Sequence, residues 1–214
     1  MAIHLSCNSK SNPLPQPLDL RSSEVAVTDI FVSPDVLAGG TKLKVTIIDF
    51  TEEQPHVVEF VLKIQALTIV SIITELKTAL TNFADISLDT SGVVEIRPRP
   101  RFAIGLSSSL ASILGLSDHN PVSKPTKAKH PVRAGLLTQR ILVTSNLIHP
   151  YHVNGAYLPC IYSGRPNQQV PYPVYHTTVP YHVNSVVLRF YNIFGEEVDL
   201  PEGQFTLSMR IISP

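Results

Sequence analysis

The residues best suited to site chemistry are eight histidines and two cysteines. The histidines are His4, His56, His119, His130, His149, His152, His176 and His182. His149 and His152 form an H-x-x-H pair, but Pro150 lies between them. A proline there bars the single helix face that such zinc pairs use. Cys160 is near His149, His152 and His176 in sequence, so a Cys/His nucleophile is conceivable, yet no local signature accompanies it. A jelly-roll enzyme with a metal on His149, His152 and His176 is the catalytic alternative. The carboxylate pairs Glu52-Glu53 and Glu196-Glu197 fall in or beside turns, where water keeps both acids ordinary and neither is prepared for general-acid work. Gly105-Leu-Ser-Ser-Ser109 begins a helix and lacks the second glycine of a nucleophile elbow. No phosphate-cradling glycine loop is present. The chain is expected not to be an enzyme and to carry no catalytic residue, no metal and no cofactor.

What remains is surface chemistry. Arg97, Arg99 and Arg101 alternate with Pro98 and Pro100, which would place all three on one side of an extended segment. They would meet an acidic partner or charge a sheet edge against aggregation. Glu196, Glu197, Asp199 and Glu202 form an acidic rim. Tyr172, Tyr175 and Tyr181 sit in a proline-rich stretch from 164 to 181, and tyrosine offers large contact area with a polar tip. Glu196, Glu197, Asp199, Arg97, Arg99, Arg101, Tyr172 and Tyr175 are the candidate subunit contacts. The acidic rim would face Arg97, Arg99 and Arg101, or the basic segment from Lys124 to Arg133, on a neighbouring copy.

The elements that hold these residues read mostly as β. The chain has 214 residues, with Lys+Arg and Asp+Glu equal at 17 each and only 16% charged. That balance excludes a dedicated nucleic-acid or membrane-surface binder, which needs clustered positive charge; a near-neutral surface also favours association. Eighteen prolines against ten glycines stiffen loops and block edge pairing. Cys7 and Cys160 read as free buried thiols in a reducing compartment. The start Met1-Ala2-Ile3-His4 lacks a signal-peptide pattern, and the most apolar window, Val61 to Ile73, is too short and too polar to span a membrane.

Strand patterns cover Ala2 to Ser6, Glu24 to Val32, Lys42 to Phe50, Val57 to Ile64, Arg140 to Ile148 and Tyr157 to Tyr162. Asn12 to Pro17 reads as a stiff connector, and Ser33-Pro34-Asp35 and Gly39-Gly40 as turns. Ile69, Ile72, Ile73, Leu76, Leu80 and Phe83 recur at helical spacing, with Thr68 as cap. Short strands follow at Ile86 to Leu88, Val93 to Ile96 and Phe102 to Leu106. Then Ser107 caps a short helix that Gly115 ends. The last stretch gives two strands, with Val186, Leu188, Phe190, Leu207 and Met209 as core. Strands lie on both sides of the helical stretch, and no helix follows each strand. The expected fold is all-β dominated, a single jelly-roll sandwich over 1–214 with a small helix-containing insertion at about 66–116 and a flexible loop at about 117–135.

Several segments, taken in order, resemble one family. Leu14-Pro-Gln-Pro-Leu-Asp-Leu20 followed by Glu24 to Ile30 is similar to the opening of the penton (minor, vertex capsid) proteins of Polinton/Maverick elements and adintovirus-like viruses. Ile104 to Leu116 resembles that family's L-S-x-x-L-A-x-x-L-G-F segment. Ile141 to Pro150, Val153 to Ile161 and Val183 to Ile212 resemble its later strands, with Ser145-Asn146 and Asn154-Gly155 where acidic residues are usual. The resemblance implies a single jelly roll that forms homopentamers at icosahedral vertices among double-jelly-roll major capsid proteins, with a fibre or spike as a further partner. It implies residence in the virion after synthesis in a host cytoplasm. The alternative is a receptor- or glycan-binding jelly-roll module of a virion spike, marked by a pocket of Tyr172, Tyr175, Tyr181 and nearby histidines.

Overall fold

The computed structural model describes residues 2–51, 54–64, 68–153 and 156–213. The pair Glu52-Glu53, the dipeptide Asn154-Gly155 and the expected insertion start near Ala66 lie outside the described residues. In chain order come β1 (Ala2–Cys7), β2 (Ser11–Asp19), β3 (Glu24–Val32) and α1 (Pro34–Gly40). Next are β4 (Lys44–Asp49), β5 (His56–Val61), α2 (Ile69–Leu80), β6 (Ala84–Leu88), β7 (Val94–Pro98), β8 (Phe102–Leu106) and α3 (Ser108–Leu114). A single 3-10 turn at Ser117–His119, β9 (Thr126–Lys127) and α4 (Leu136–Gln139) follow. The chain continues through β10 (Ile141–Ser145), β11 (Tyr151–Val153), β12 (Ala156–Leu158), β13 (Cys160–Gly164), β14 (Gln168–Gln169) and β15 (His176–Thr177). It finishes with β16 (His182–Asn192), β17 (Glu197–Val198) and β18 (Phe205–Ile212).

Two units emerge. One comprises 1–41 and 138–214, and the other 42–137. The inserted unit is therefore longer than the helical stretch alone, because β4 pairs with β5 on one edge and β8 on the other, and not with the sandwich strands.

The first unit is a sandwich of two antiparallel sheets, in the orders β1-β18-β3-β14 and β13-β10-β16-β17. β15 continues the β14 line along β3, and β2 pairs β16 on the flank shared with β17. Counting β14 and β15 as one interrupted strand, eight principal strands pair first with last, second with seventh, third with sixth and fourth with fifth. That nesting is what results when one long antiparallel ribbon wraps into a barrel-like sandwich, and it defines a jelly roll. The expected fold is found.

The core lies between the sheets. Val186, Leu188 and Phe190 of β16 face inward, with Leu207, Met209 and Ile211 of β18 opposite. Phe190 and Phe205 meet edge-on with ring centroids 4.7 Å apart. β16 and β18 are therefore not neighbours in one sheet, as two consecutive strands would suggest; they belong to opposite sheets and face each other across the core. The alternation of β18, which lies between β1 and β3, is clean because Phe205, Leu207, Met209 and Ile211 share the one face that meets the core.

Local sequence explains several elements. Proline is tolerated in β2 because an edge strand can spare N–H groups. Two expected turns form α1 instead. Pro34 takes the first helical position, where its missing N–H costs nothing, and the Leu37 amide bonds the Ser33 carbonyl at 3.0 Å.

In the inserted unit, Ile72, Ile73, Leu76 and Leu80 of α2 are buried, and Thr68 accepts from the Ser71 amide at 3.1 Å. Ser107 caps α3 and Gly115 closes it at φ 72°. A Cβ on Gly115 would stand 2.8 Å from the His130 carbonyl oxygen. The stretch expected as a flexible loop is pinned: Val122 exchanges both backbone bonds with Ile104 at 2.8 Å, and Ala128 and Val132 donate to Val94 and Gly92.

Candidate functional site

Proline shapes a strongly exposed feature of the sandwich. β14 and β15 both pair with β3, at Gln168↔Ile30 and His176↔Val25. Pro171 and Pro173 have no N–H to give to that ladder, so the chain lifts away between Val170 and His176. Tyr172 is left 88% exposed and Val174 67%. Thr178 then re-anchors the chain through hydrogen bonds to the Leu20 and Ser23 carbonyls at 2.6 and 2.8 Å. Tyr175 is half-buried, and Tyr181 is exposed.

Behind this arch lies a cleft of about 540 Å³, lined among others by Tyr151, His152, Ser163, Gln168, Tyr172 and His176. Tyr151 stacks on His176 at 5.6 Å and donates to the Cys160 carbonyl at 2.6 Å. The Tyr162 hydroxyl accepts from Gln168 and donates to the Arg165 carbonyl, each at 2.6 Å. Burial pushes the Tyr151 and Tyr162 phenols up and His176 down, so each favours its neutral form. Burial also raises the Cys160 thiol, whose Sγ–H donates to the Tyr162 carbonyl. A thiol held protonated in this way is a poor nucleophile. Ser163 Oγ is buried and has no hydrogen-bond partner among the described residues. Of the proposed metal histidines, His152 and His176 reach this cleft and His149 does not line it. No group of three or more His, Cys, Asp or Glu able to share a metal ion occurs among the described residues.

The three arginines singled out by alternation do not share a side. The Phe102 amide bonds the Arg99 carbonyl at 3.1 Å, with Pro100 second and Arg101 third at φ 74°, a tight turn that ends the alternation. Each arginine instead meets an acid of its own unit. Arg97 makes two 3.0 Å bonds to Glu95, Arg99 lies 3.8 Å from Asp85, and Arg101 lies 3.8 Å from Asp49 and over the Phe102 ring.

The acidic rim is built by one buried side chain. Asn192 Oδ1 accepts from the Phe194 and Glu196 amides at 2.9 and 3.1 Å, and its Nδ2 donates to Glu196 Oε2 at 3.1 Å. Asp199 pairs with Lys10, and Glu202 accepts from Ser9 Oγ at 2.8 Å. Glu197 is exposed on β17.

A second cleft, of about 560 Å³, is lined by Thr138, Gln139, Arg140, Arg165 and Pro166. Sequence reasoning missed it. Arg140 and Arg165 are brought together only because Ile141 pairs Gly164, a long-range register with no local signal.

The strand nesting places the chain among jelly-roll proteins. No protein-family model and no curated protein sequence matches it. Two solved structures are similar to it along nearly the whole chain. The mavirus penton protein matches over 100% of both chains at 10% identity and a TM-score of 0.41. A chain of the Sputnik virophage structure matches over 99% of this chain and 98% of its own, at 12% identity and a TM-score of 0.40.

Proposed function

We propose that this chain is a viral capsid subunit, a penton that assembles as a homopentamer at icosahedral vertices beside double-jelly-roll major capsid proteins. The observation that carries the reading is the complete jelly-roll nesting, in a chain whose segments resemble a penton family in order. Low charge and exposed aromatics fit a surface made for contact. Tyr172, Tyr175, Glu196, Glu197 and Asp199 on the sandwich, and Arg97, Arg99 and Arg101 on the inserted unit, are the candidate contacts. The role is structural and not catalytic, the site of action is the virion, and a fibre or spike is a further partner. The kinship proposed is with Polinton and adintovirus-like pentons.

Mass photometry and negative-stain averages of the purified chain test this. A ring of five is expected, with neighbours burying roughly 2,000 Å² or more per interface. A species that stays monomeric at high concentration refutes it. A second reading, a glycan-binding spike module, is favoured by the cleft behind Tyr172 with its unpartnered Ser163 hydroxyl. Glycan-array binding without ring assembly would select it.

A further inference from the structure

Four chain segments reach one end of the second sheet. Ile141, at the start of β10, pairs both Gly164 at the end of β13 and Asn192 at the end of β16. β17 pairs next to it, with Glu197 opposite Tyr191. The sheet order β13-β10-β16-β17 therefore sets out, at one level along the strands, Arg165, then Arg140, then the Asn192 turn, then Glu196 and Glu197. Three strand spacings separate the outer members, about 14 Å. One flank of this end is cationic and the other anionic.

Three charged side chains at this end, Arg140, Arg165 and Glu197, meet no opposite charge at ion-pair distance among the described residues. Arg140 and Arg165 line the same cleft, whose lining contains no acid. This contrasts with Arg97, Arg99 and Arg101, each of which faces an acid of its own unit.

We infer that a second copy of this chain docks head-to-tail here, with the β17 edge carrying Glu197 set against the Arg140/Arg165 cleft of the next copy. The inference rests on the proposed ring assembly and names its contact. The two patches are different surfaces of one molecule, so the contact is heterologous and propagates. They stand at one level of the sheet, an arrangement compatible with copies added side by side in a closed ring. Guanidinium and carboxylate supply paired, directional hydrogen bonds that fix the register of neighbours. Glu196 assists by holding the turn through Asn192, and Asp199 stays with Lys10.

The test uses the full chain in four forms: wild type, Glu197→Arg, the double variant Arg140→Glu/Arg165→Glu, and all three changes combined. These side chains are exposed, and thermal melts matched to wild type check that each variant folds. Mass photometry over a dilution series gives the half-assembly concentration. Each reversal should raise it about tenfold or more, and the combined variant should return to within about threefold of wild type. Wild-type assembly should also weaken with added salt, and less so in Glu197→Arg. If wild type forms rings and the reversals leave them unchanged, or if the combined variant shows no recovery, the contact is wrong while the capsid reading stands. A wild type that never assembles overturns both.

Discussion

Phe190 is a large, fully buried side chain at the contact between the two sheets of the sandwich. Phe205, at the start of the opposite sheet's central strand, is 2% exposed. Their rings meet at 4.7 Å and 63°. Truncating Phe190 to alanine should cost about 3–5 kcal/mol, transfer and cavity together. That is a large share of the roughly 5–15 kcal/mol a domain has. Phe190→Leu, which keeps most of the volume, should cost about 1.5 kcal/mol. Phe31 is the control, since it lies on the outer face of β3 and is 49% exposed; Phe31→Leu should stay within about 0.5 kcal/mol. Urea unfolding followed by far-ultraviolet circular dichroism gives each value, and a double-mutant cycle with Phe205→Leu should show coupling of about 0.5–1.5 kcal/mol. If Phe190→Leu costs no more than Phe31→Leu, or the coupling is zero, the two faces of the sandwich have been misassigned.

Other outcomes follow from single sites. Gly115→Ala should destabilise by more than about 1 kcal/mol, because φ is 72° and the added carbon meets the His130 carbonyl, whereas Gly39→Ala, in α1 with open space around it, should stabilise by about 0.5 kcal/mol. Asp89 accepts from Ser91 and Val93 and pairs with Lys127 at 2.9 Å, which holds its carboxyl well below the usual range. Its contribution is present above the unfolded value near 4 and is lost as pH falls through the lowered folded value. Asp89→Asn should thus flatten the acid limb of stability between about pH 4 and pH 2, read by urea midpoints. Burial lifts the Cys7 thiol to about 11, so a thiol reagent at pH 8 should label it only as fast as the sandwich opens; immediate labelling would refute its burial.

Local signals were legible where one residue type decides the backbone. Thr68, Ser107 and Gly115 marked helix ends because a side-chain acceptor or a left-handed φ is needed there. The inward faces of β16 and β18 were legible because period-two alternation survives in strands buried on one side. Long-range pairing was not. The last two long strands, β16 and β18, carry no signal of which sheet each joins, and wrapping sends them to opposite sheets. Pro34 read as a turn because the same residue opens helices. Arg97, Arg99 and Arg101 read as one stripe because the φ of 74° at Arg101, which turns the chain, belongs to a residue that seldom adopts it. The Arg140/Arg165 cleft had no signal at all, since only the β10–β13 register makes the two arginines neighbours.

The position of β18 has a consequence for biosynthesis. It stands between β1 and β3, yet it is the last of the sandwich strands to be made. Until it arrives, β1 has no partner, and β3 has only the short, proline-broken β14 and β15. The inserted unit, by contrast, finds the partners of all its described strands within its own stretch of chain. A nascent chain would then carry a finished inserted unit beside a half-built sheet, and strand completion by β18 would be the event that commits the molecule to its native state.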